Sequence, residues 1–380
     1  MKTQKRERAA YHPMKNCLDL INNAVNNFKV TGVPRGCIPY GNGHINDTFY
    51  LICDEADGSE SKYIIQAVNC SIFDNPRQVM DNIEKVTDHL KKKIDDPRGV
   101  LTLIPTHNHN SYYMDRFGNC WRMYRFIDHS ICIERPERTS DFYESGFAFG
   151  KFQRDLSDFP AETLYEVLPR FHDTVKRYND LLTAIKEDKA GRAKTVEKEI
   201  AFAKERADFY SILADAHKKG ELPLRVSHND TKCNNALLDE KTRKALCVIE
   251  LDTIMPGFSV TDFGDAIRFG ASTAAEDEQD LSKVGMDIGM FTAFADGFLT
   301  GCEGQLIDSE IMLLPEGAKM MTIECGIRFL TDYLNGDTYF KTKYPEHNLV
   351  RCRTQFKLVA DMETHWETMK QIVAKYCKSM

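Results

Sequence analysis

Long apolar runs are missing from this chain. No run of about 18 apolar residues occurs, so the ordinary sequence mark of a membrane-spanning helix is absent. The basic opening MKTQKRERAAYHPMK is followed by no apolar segment of signal-peptide type, and a cytoplasmic protein without a membrane partner is expected. No C-x-x-C pair is present: the 12 cysteines stand at irregular spacings, which argues against a zinc cage and a secreted disulfide framework and for reduced, packed thiols. An excess of positive charge is also missing. The formal net charge of -7 provides no global basic field, which argues against nucleic acid as the main partner but leaves room for a local phosphate pocket. Internal repeats and low-complexity segments are not found either.

What is there is an ordinary globular composition, 42% hydrophobic and 28% charged, on a 380-residue chain long enough for two packed lobes. The first third reads as strands around one helix. Glycines 32, 36, 41 and 43 precede the β-prone run 48–53, and a second apolar run, 63–68, follows the Asp57-Gly58 turn, so a hairpin with a glycine-bearing entry loop is expected. Asn75 and Pro76 mark a helix start, after which Val79, Ile83, Val86, Leu90 and Ile94 recur at helical spacing. A further strand is expected over 121–127. Helices begin near Ser140, and the charged stretch 190–219 carries Ile200, Ala203, Ala207, Tyr210 and Leu213 along one face.

The chemistry concentrates between Arg225 and Gly270. His228-Asn229-Asp230 followed by Asn235 gives H-x-D-x-x-x-x-N. Phosphoryl transfer asks little of a protein: a carboxylate to align the attacking hydroxyl, and oxygen ligands to hold magnesium across the phosphates. Asp230 and Asn235 have those chemistries, and Ala236-Leu237-Leu238 would anchor their loop as a strand. A second strand, 245–251, is expected to deliver Glu250 and Asp252 on the same face.

HNDTKxxN with LDTIMPGFSVTDFGDAIRFG, together with GNGHINDTF near the start, resembles the bacterial N-acetylhexosamine 1-kinases, within the aminoglycoside phosphotransferase and choline kinase superfamily. The resemblance spans both parts of the chain. It implies an α+β, two-lobed protein-kinase-like fold: a small, mainly β N-lobe with one helix over residues 1–127 and a larger, mainly α C-lobe over 128–380.

By that resemblance Asp230 orients and deprotonates the sugar hydroxyl, and Asn235 and Glu250 hold Mg2+, with ATP as co-substrate. The superfamily usually has Asp where Glu250 stands, so Asp252 is kept as a further metal candidate. Lys232 would stabilise charge on the transferring phosphate; the alternative is an exposed loop lysine. The literal Asp262-Phe263-Gly264 lies too far past Asn235 to supply the metal acid. Asp262 and Asp265 are expected instead to cap a helix beginning near Ala266 and to bond back to the loop, with His228 packed beneath it.

Gly41 and Gly43 resemble the phosphate-covering loop, and His44 would reach the sugar. Each has a plainer alternative, an ordinary turn and a surface histidine. Gln66 occupies the place of the usual strand lysine, and Glu84 on the following helix would approach it or stay exposed. Arg125, Phe126 and Ile127 match the hinge whose backbone would bond adenine. Phe269, Arg328, Tyr339 and Trp366 would line the sugar pocket; singly, each is also an ordinary core aromatic or surface arginine.

The function implied is phosphorylation of the anomeric hydroxyl of N-acetylglucosamine or N-acetylgalactosamine. One alternative changes the acceptor to an aminoglycoside, choline or homoserine. Another, of a different class, is a nucleotide-binding scaffold without turnover. Oligomeric state, the preferred sugar and the choice between ATP and GTP stay open.

Overall fold

The computed structural model describes residues 18–41 and 45–378. The chain divides into two compact units, Met1–His129 with Leu164–Leu168 and Leu251–Ile254, and Ser130–Thr163 with Pro169–Glu250 and Met255–Met380.

Among the described residues the first unit begins with helix α1 (Leu18–Val25), which no pattern in the sequence had singled out. Strands β1 (Val33–Pro39), β2 (Asp47–Asp54) and β3 (Glu60–Val68) form a meander, and helix α2 (Pro76–Leu90) follows. Strands β4 (Tyr113–Met114) and β5 (Cys120–Arg125) complete an antiparallel sheet of order β1-β2-β3-β5-β4. Period-two alternation sorts its two faces. Phe49, Leu51, Tyr63, Ile65, Trp121 and Met123 pack with Ile21, Val25 and Phe28 into one apolar cluster. The other face carries Thr48, Gln66 and Arg122, which the register sets side by side on β2, β3 and β5.

Helix α2 buries Val79, Ile83, Val86 and Leu90, while Ile94 falls beyond its end. Its start rests on Pro76 rather than on a side-chain cap, because the Asn75 side chain makes no capping bond. Asn82 ties the two late segments into this unit: its amide donates to the carbonyls of Tyr165 and Ile254, and its oxygen accepts from Tyr165 N–H.

The second unit contains β6 (Ser130–Cys132), α3 (Thr139–Asp155), α4 (Thr174–Glu187), α5 (Glu197–Lys204) and α6 (Ile212–Lys218). There follow β7 (Arg225–Ser227), β8 (Ala236–Asp239), β9 (Ala245–Val248), β10 (Met255–Gly257) and α7 (Ser259–Gly270). The chain ends in α8 (Ile288–Cys302), α9 (Asp308–Met312), α10 (Leu314–Leu334), α11 (His347–Thr364) and α12 (Trp366–Ala374). The strands make two small sheets, β6-β8-β9 and β7-β10. Among the described residues no helix is long and apolar enough to cross a membrane.

The charged stretch 190–219 is not one helix. It breaks between α5 and α6, where Arg206 Nη1 donates to the Phe202 carbonyl and Tyr210 Oη donates to the Ala203 carbonyl, satisfying the freed end of α5. Ile200, Ala203, Tyr210 and Leu213 are buried, whereas Ala207 is only partly so.

Helix α7 starts at Ser259, well before the expected Ala266, and crosses α10 at a backbone-to-backbone contact. A Cβ on Gly317 would lie 2.0 Å from the Val260 carbonyl oxygen, and one on Gly264 2.2 Å from the Gly317 oxygen. Gly317→Ala must therefore separate the helices, and is expected to cost at least about 2 kcal/mol in denaturant unfolding. An unchanged unfolding midpoint would show that the crossing relaxes freely.

Candidate active site

β7 delivers the chain into the loop His228–Asn235. Asp262, buried in the first turn of α7, holds that loop from below: it accepts from Ser227 Oγ at 2.7 Å and from the backbone N–H groups of His228 and Asn229, both at 2.8 Å. Its carbonyl accepts from Thr231 Oγ1, and Gln153 Nε2 also donates to the carboxylate, at 3.1 Å. Asp262 thus ties down the loop, and does not cap its own helix. Asn229 is left-handed at φ 62, which lets the loop turn sharply enough for two successive N–H groups to reach one carboxylate. His228 is fully buried; its Nδ1 accepts from Asp230 N–H at 3.2 Å and its Nε2 donates to the Ile249 carbonyl at 2.8 Å, joining the loop to the segment after β9. With both ring nitrogens engaged in this way, it is a brace rather than a base.

The loop sets the Asp230 carboxylate between two partners. Lys232 Nζ lies 2.6 Å from Oδ1, and Asn235 Nδ2 donates to Oδ2 at 3.0 Å and to the Asp230 carbonyl at 2.7 Å. Burial would lower the pKa of the Lys232 ammonium, but Asp230 and Asp265 hold it above its ordinary value, so Lys232 is a cation. Asp265, on α7, is buried and would be raised by that burial; Arg268, Lys232 and His172 hold it below the usual carboxylate range instead. Arg268 continues the line to Glu276 at 3.0 Å.

A carboxylate lowered in the folded state stabilises fully above its unfolded pKa of about 3.9, and that stability is lost as pH falls through the folded value. Asp265→Asn is therefore expected to lower stability at neutral pH and to flatten the acid limb below about pH 4. Chemical unfolding across pH checks this; an acid limb as steep as that of the wild type would remove Asp265 from the linkage.

Glu250 and Asp252 do not share a strand face. β9 ends at Val248, Glu250 turns left-handed at φ 58, and Leu251–Thr253 form a short 3-10 turn, so the two-residue alternation stops before either carboxylate. Asp252 is buried in the first unit, where both of its oxygens accept from the Arg122 guanidinium and Oδ2 also accepts from Asn46 Nδ2 at 2.6 Å. Its carboxylate is thereby committed. Of the three residues expected to hold a metal, Asn235 and Glu250 lie in the second unit, on the loop and just after β9. With the Asn235 amide nitrogen turned to Asp230, the amide oxygen is the atom left for a metal, and one such oxygen plus one carboxylate suits magnesium, which keeps waters and substrate phosphates as its other ligands.

In the first unit Gly41 is left-handed at φ 74, as a tight glycine turn requires, whereas Gly43 and His44 lie outside the described residues. Gln66 Nε2 donates to Thr48 Oγ1 at 3.0 Å, and its Oε1 accepts from Arg122 Nε at 2.9 Å. Glu84 is exposed and meets Ser111 Oγ at 3.3 Å rather than Gln66. Of the hinge residues, Arg125 N–H donates to Thr102 and Phe126 N–H donates to the Lys62 carbonyl, so neither of these N–H groups is open to a base; Ile127 is buried. The Phe126 ring meets Tyr50 at 4.9 Å and Tyr40 at 6.0 Å. This aromatic cluster was not anticipated; Tyr40 and Tyr50 straddle the glycine loop, which was the available signal.

The four aromatic and arginine candidates do not converge. Arg328 and Tyr339 line one cavity of about 190 Å3, joined by Arg177, Asp180, Asp332 and Asn335, none of which was a candidate from the sequence. Trp366 instead lies against Lys319, whose ammonium is 5.4 Å from its ring centroid. Lys319 and Arg328 stand nine residues apart on α10, about 13 Å along the axis and half a turn around it, so Trp366 does not share the Arg328 cavity. Phe269 sits near the end of α7, partly buried.

A five-stranded antiparallel unit, a larger helical unit and an Asp-Lys-Asn loop braced by a buried aspartate define a kinase-like phosphotransferase, of α+β class. The chain belongs to the phosphotransferase enzyme family, which it matches over residues 36–288. Its fold is similar to that of a microcompartment-associated aminopropanol kinase (TM-score 0.60, 14% identity, 93% of this chain and 98% of that one). It is also similar to an aminoglycoside phosphotransferase from Alicyclobacillus acidocaldarius (TM-score 0.58, 11% identity, 98% and 99%). A third structure of the same fold is an amicoumacin kinase in complex with AMP-PNP, Ca2+ and Ami (TM-score 0.55, 11% identity, 91% and 94%).

Proposed function

We propose that this protein phosphorylates the anomeric hydroxyl of an N-acetylhexosamine, N-acetylglucosamine or N-acetylgalactosamine, with ATP as donor, yielding the sugar 1-phosphate. Residues 1–127 serve as the nucleotide-binding lobe and 128–380 as the catalytic and acceptor lobe. Asp230 accepts the hydroxyl proton as the oxygen attacks the γ-phosphorus, and ADP leaves. An anomeric hydroxyl is more acidic than an ordinary alcohol, so the carboxylate that accepts its proton needs less proton affinity. Lys232 moves its charge from Asp230 toward the transferring phosphate. Asn235 and Glu250 would hold magnesium, which would supply charge neutralisation to the phosphates. Gly41 and Gln66 serve the phosphates, and the Phe126, Tyr50 and Tyr40 rings offer apolar surface to the adenine.

The acceptor class is read from the cavity beside Arg328, which this proposal takes as the acceptor pocket. At about 190 Å3 it lies below the roughly 300 Å3 at which sites for drug-sized ligands begin, which favours a single ring over a multi-ring aminoglycoside. Its carboxylates are spent within the protein. Asp332 accepts from the backbone N–H groups of Thr338, Tyr339 and Phe340 and from Asn348, and Asp180 pairs with Lys176 at 2.5 Å. Arg177 and Arg328 remain, with Arg177 Nε buried and lacking a hydrogen-bond partner. That lining suits a neutral polyol with a carbonyl-bearing substituent and disfavours the cations choline, ethanolamine and kanamycin.

The experiment is ADP release with magnesium-ATP across N-acetylglucosamine, N-acetylgalactosamine, glucose, galactose, choline, homoserine and kanamycin, with the product position read by phosphorus NMR. A 1-phosphate formed from an N-acetylhexosamine is expected. Turnover confined to another acceptor would keep the kinase and discard the sugar.

A further inference from the structure

By the resemblance, Gln66 on β3 takes the place of a cation that faces nucleotide phosphates, and a carboxamide at that place can help or hinder. Its NH2 end donates to a phosphate oxygen; its carbonyl end repels one. Which end faces out is decided by what holds the other. The register puts Gln66 between Thr48 on β2 and Arg122 on β5. Arginine has only donors, so the atom of Gln66 that meets Arg122 Nε at 2.9 Å must be the oxygen. The NH2 group is thereby turned to the Thr48 side, where it donates to Oγ1.

Arg122 is itself immobilised. Its Nη1 and Nη2 donate to the two oxygens of Asp252, the second at 2.9 Å. Asn46 Nδ2 donates to Asp252 at 2.6 Å, and Asn46 Oδ1 accepts from Asn69 N–H at 3.0 Å. Arg122 is 1% exposed, and Gln66, Asp252, Asn46 and Asn69 are buried with it. Desolvating a guanidinium and a carboxylate is costly, and apolar residues of similar volume often serve stability as well or better, so the arrangement is not explained by stability alone. The geometry also requires arginine: one directed N–H serves Gln66 and two serve Asp252, which a lysine cannot do at once.

We propose that Arg122, locked by Asp252, is a positioning residue that orients Gln66 as an amide donor to the nucleotide phosphates, a neutral replacement for a strand lysine. It follows that Asp252 is the counter-ion of Arg122 and leaves the metal to Asn235 and Glu250. The inference rests on the nucleotide-binding reading above and adds to it the pair that makes Gln66 competent.

The test is the affinity of the full-length protein for magnesium-ADP, measured by calorimetry, which needs no acceptor. Gln66→Leu, which keeps the Arg122–Asp252 pair, and Arg122→Met are each expected to weaken binding by about tenfold or more, as loss of a hydrogen bond to a charged group does. The double variant Arg122→Met/Gln66→Lys puts an ammonium on β3 beside Asp252 and needs no orienting partner. It should bind within about threefold of the wild type; since its ammonium also restores the counter-charge of Asp252, the arm that separates orientation from a merely structural role is Gln66→Leu, which weakens binding with the Arg122–Asp252 pair intact. If Arg122→Met fails to fold, Gln66→Leu and the double variant decide. Wild-type affinity in Gln66→Leu, or a folded double variant no better than Arg122→Met or Gln66→Leu, overturns the proposal. A wild-type protein that binds no magnesium-ADP overturns the nucleotide reading beneath it, so the two failures are distinguishable.

Discussion

Asp230→Asn is expected to lower turnover by at least about 10²-fold while leaving the fold intact, because it removes the proton acceptor and little else. The side chain is partly exposed, and its partners Lys232 and Asn235 both belong to the same short loop. The loop's backbone is held by Asp262 and His228, so its shape does not depend on the Asp230 charge. The loss should therefore appear in kcat, with the KM for nucleotide within about threefold and the thermal midpoint unchanged. Turnover near the wild-type rate would take Asp230 out of the mechanism.

Glu250→Gln and Asp252→Asn should separate cleanly, although the two residues stand two apart in the chain. Glu250→Gln removes the carboxylate proposed for the metal, so turnover should fall by about 10²-fold or more and the magnesium requirement should rise, with stability within about 1 kcal/mol. Asp252→Asn leaves Arg122 as a buried cation without its counter-ion, and breaking one side of such a pair costs about 3–5 kcal/mol. Urea unfolding and magnesium titration of both variants provide the two readouts. A stable Asp252→Asn protein with a raised magnesium requirement would return Asp252 to the metal and sink the division of labour argued here.

The patterns that reached their structural outcome are local ones. The β-prone run 48–53 and the apolar run 63–68 became β2 and β3, and helical spacing from Val79 to Leu90 became α2, because strand and helix formation leave their marks in a short stretch of sequence. The spacing from Asp230 to Asn235 translated directly into contact, since five residues in a tight loop cannot stray far. Expectations failed where a period was extrapolated past the end of its element. β9 was carried three residues too far, and with it the idea that Glu250 and Asp252 point the same way; nothing local announces that Glu250 is left-handed. Helix α7 was started too late because Asp262 was taken for its cap, when that carboxylate serves backbone N–H groups more than thirty residues away in sequence.

By itself, then, the sequence determined the class of chemistry: a carboxylate, a lysine and an asparagine on one loop, and a strand glutamine where a lysine is usual. Only the tertiary structure decided which partners those groups have. Arg122 reads in sequence as one more charged residue within a strand, and Arg177 as one more surface cation. Their roles come from pairing across distances of 56 residues for Gln66, 130 for Asp252 and 151 for the cavity shared by Arg177 and Arg328. The physical reason is that a buried charge must find its counter-charge wherever the fold brings one, and no period in the chain encodes that meeting.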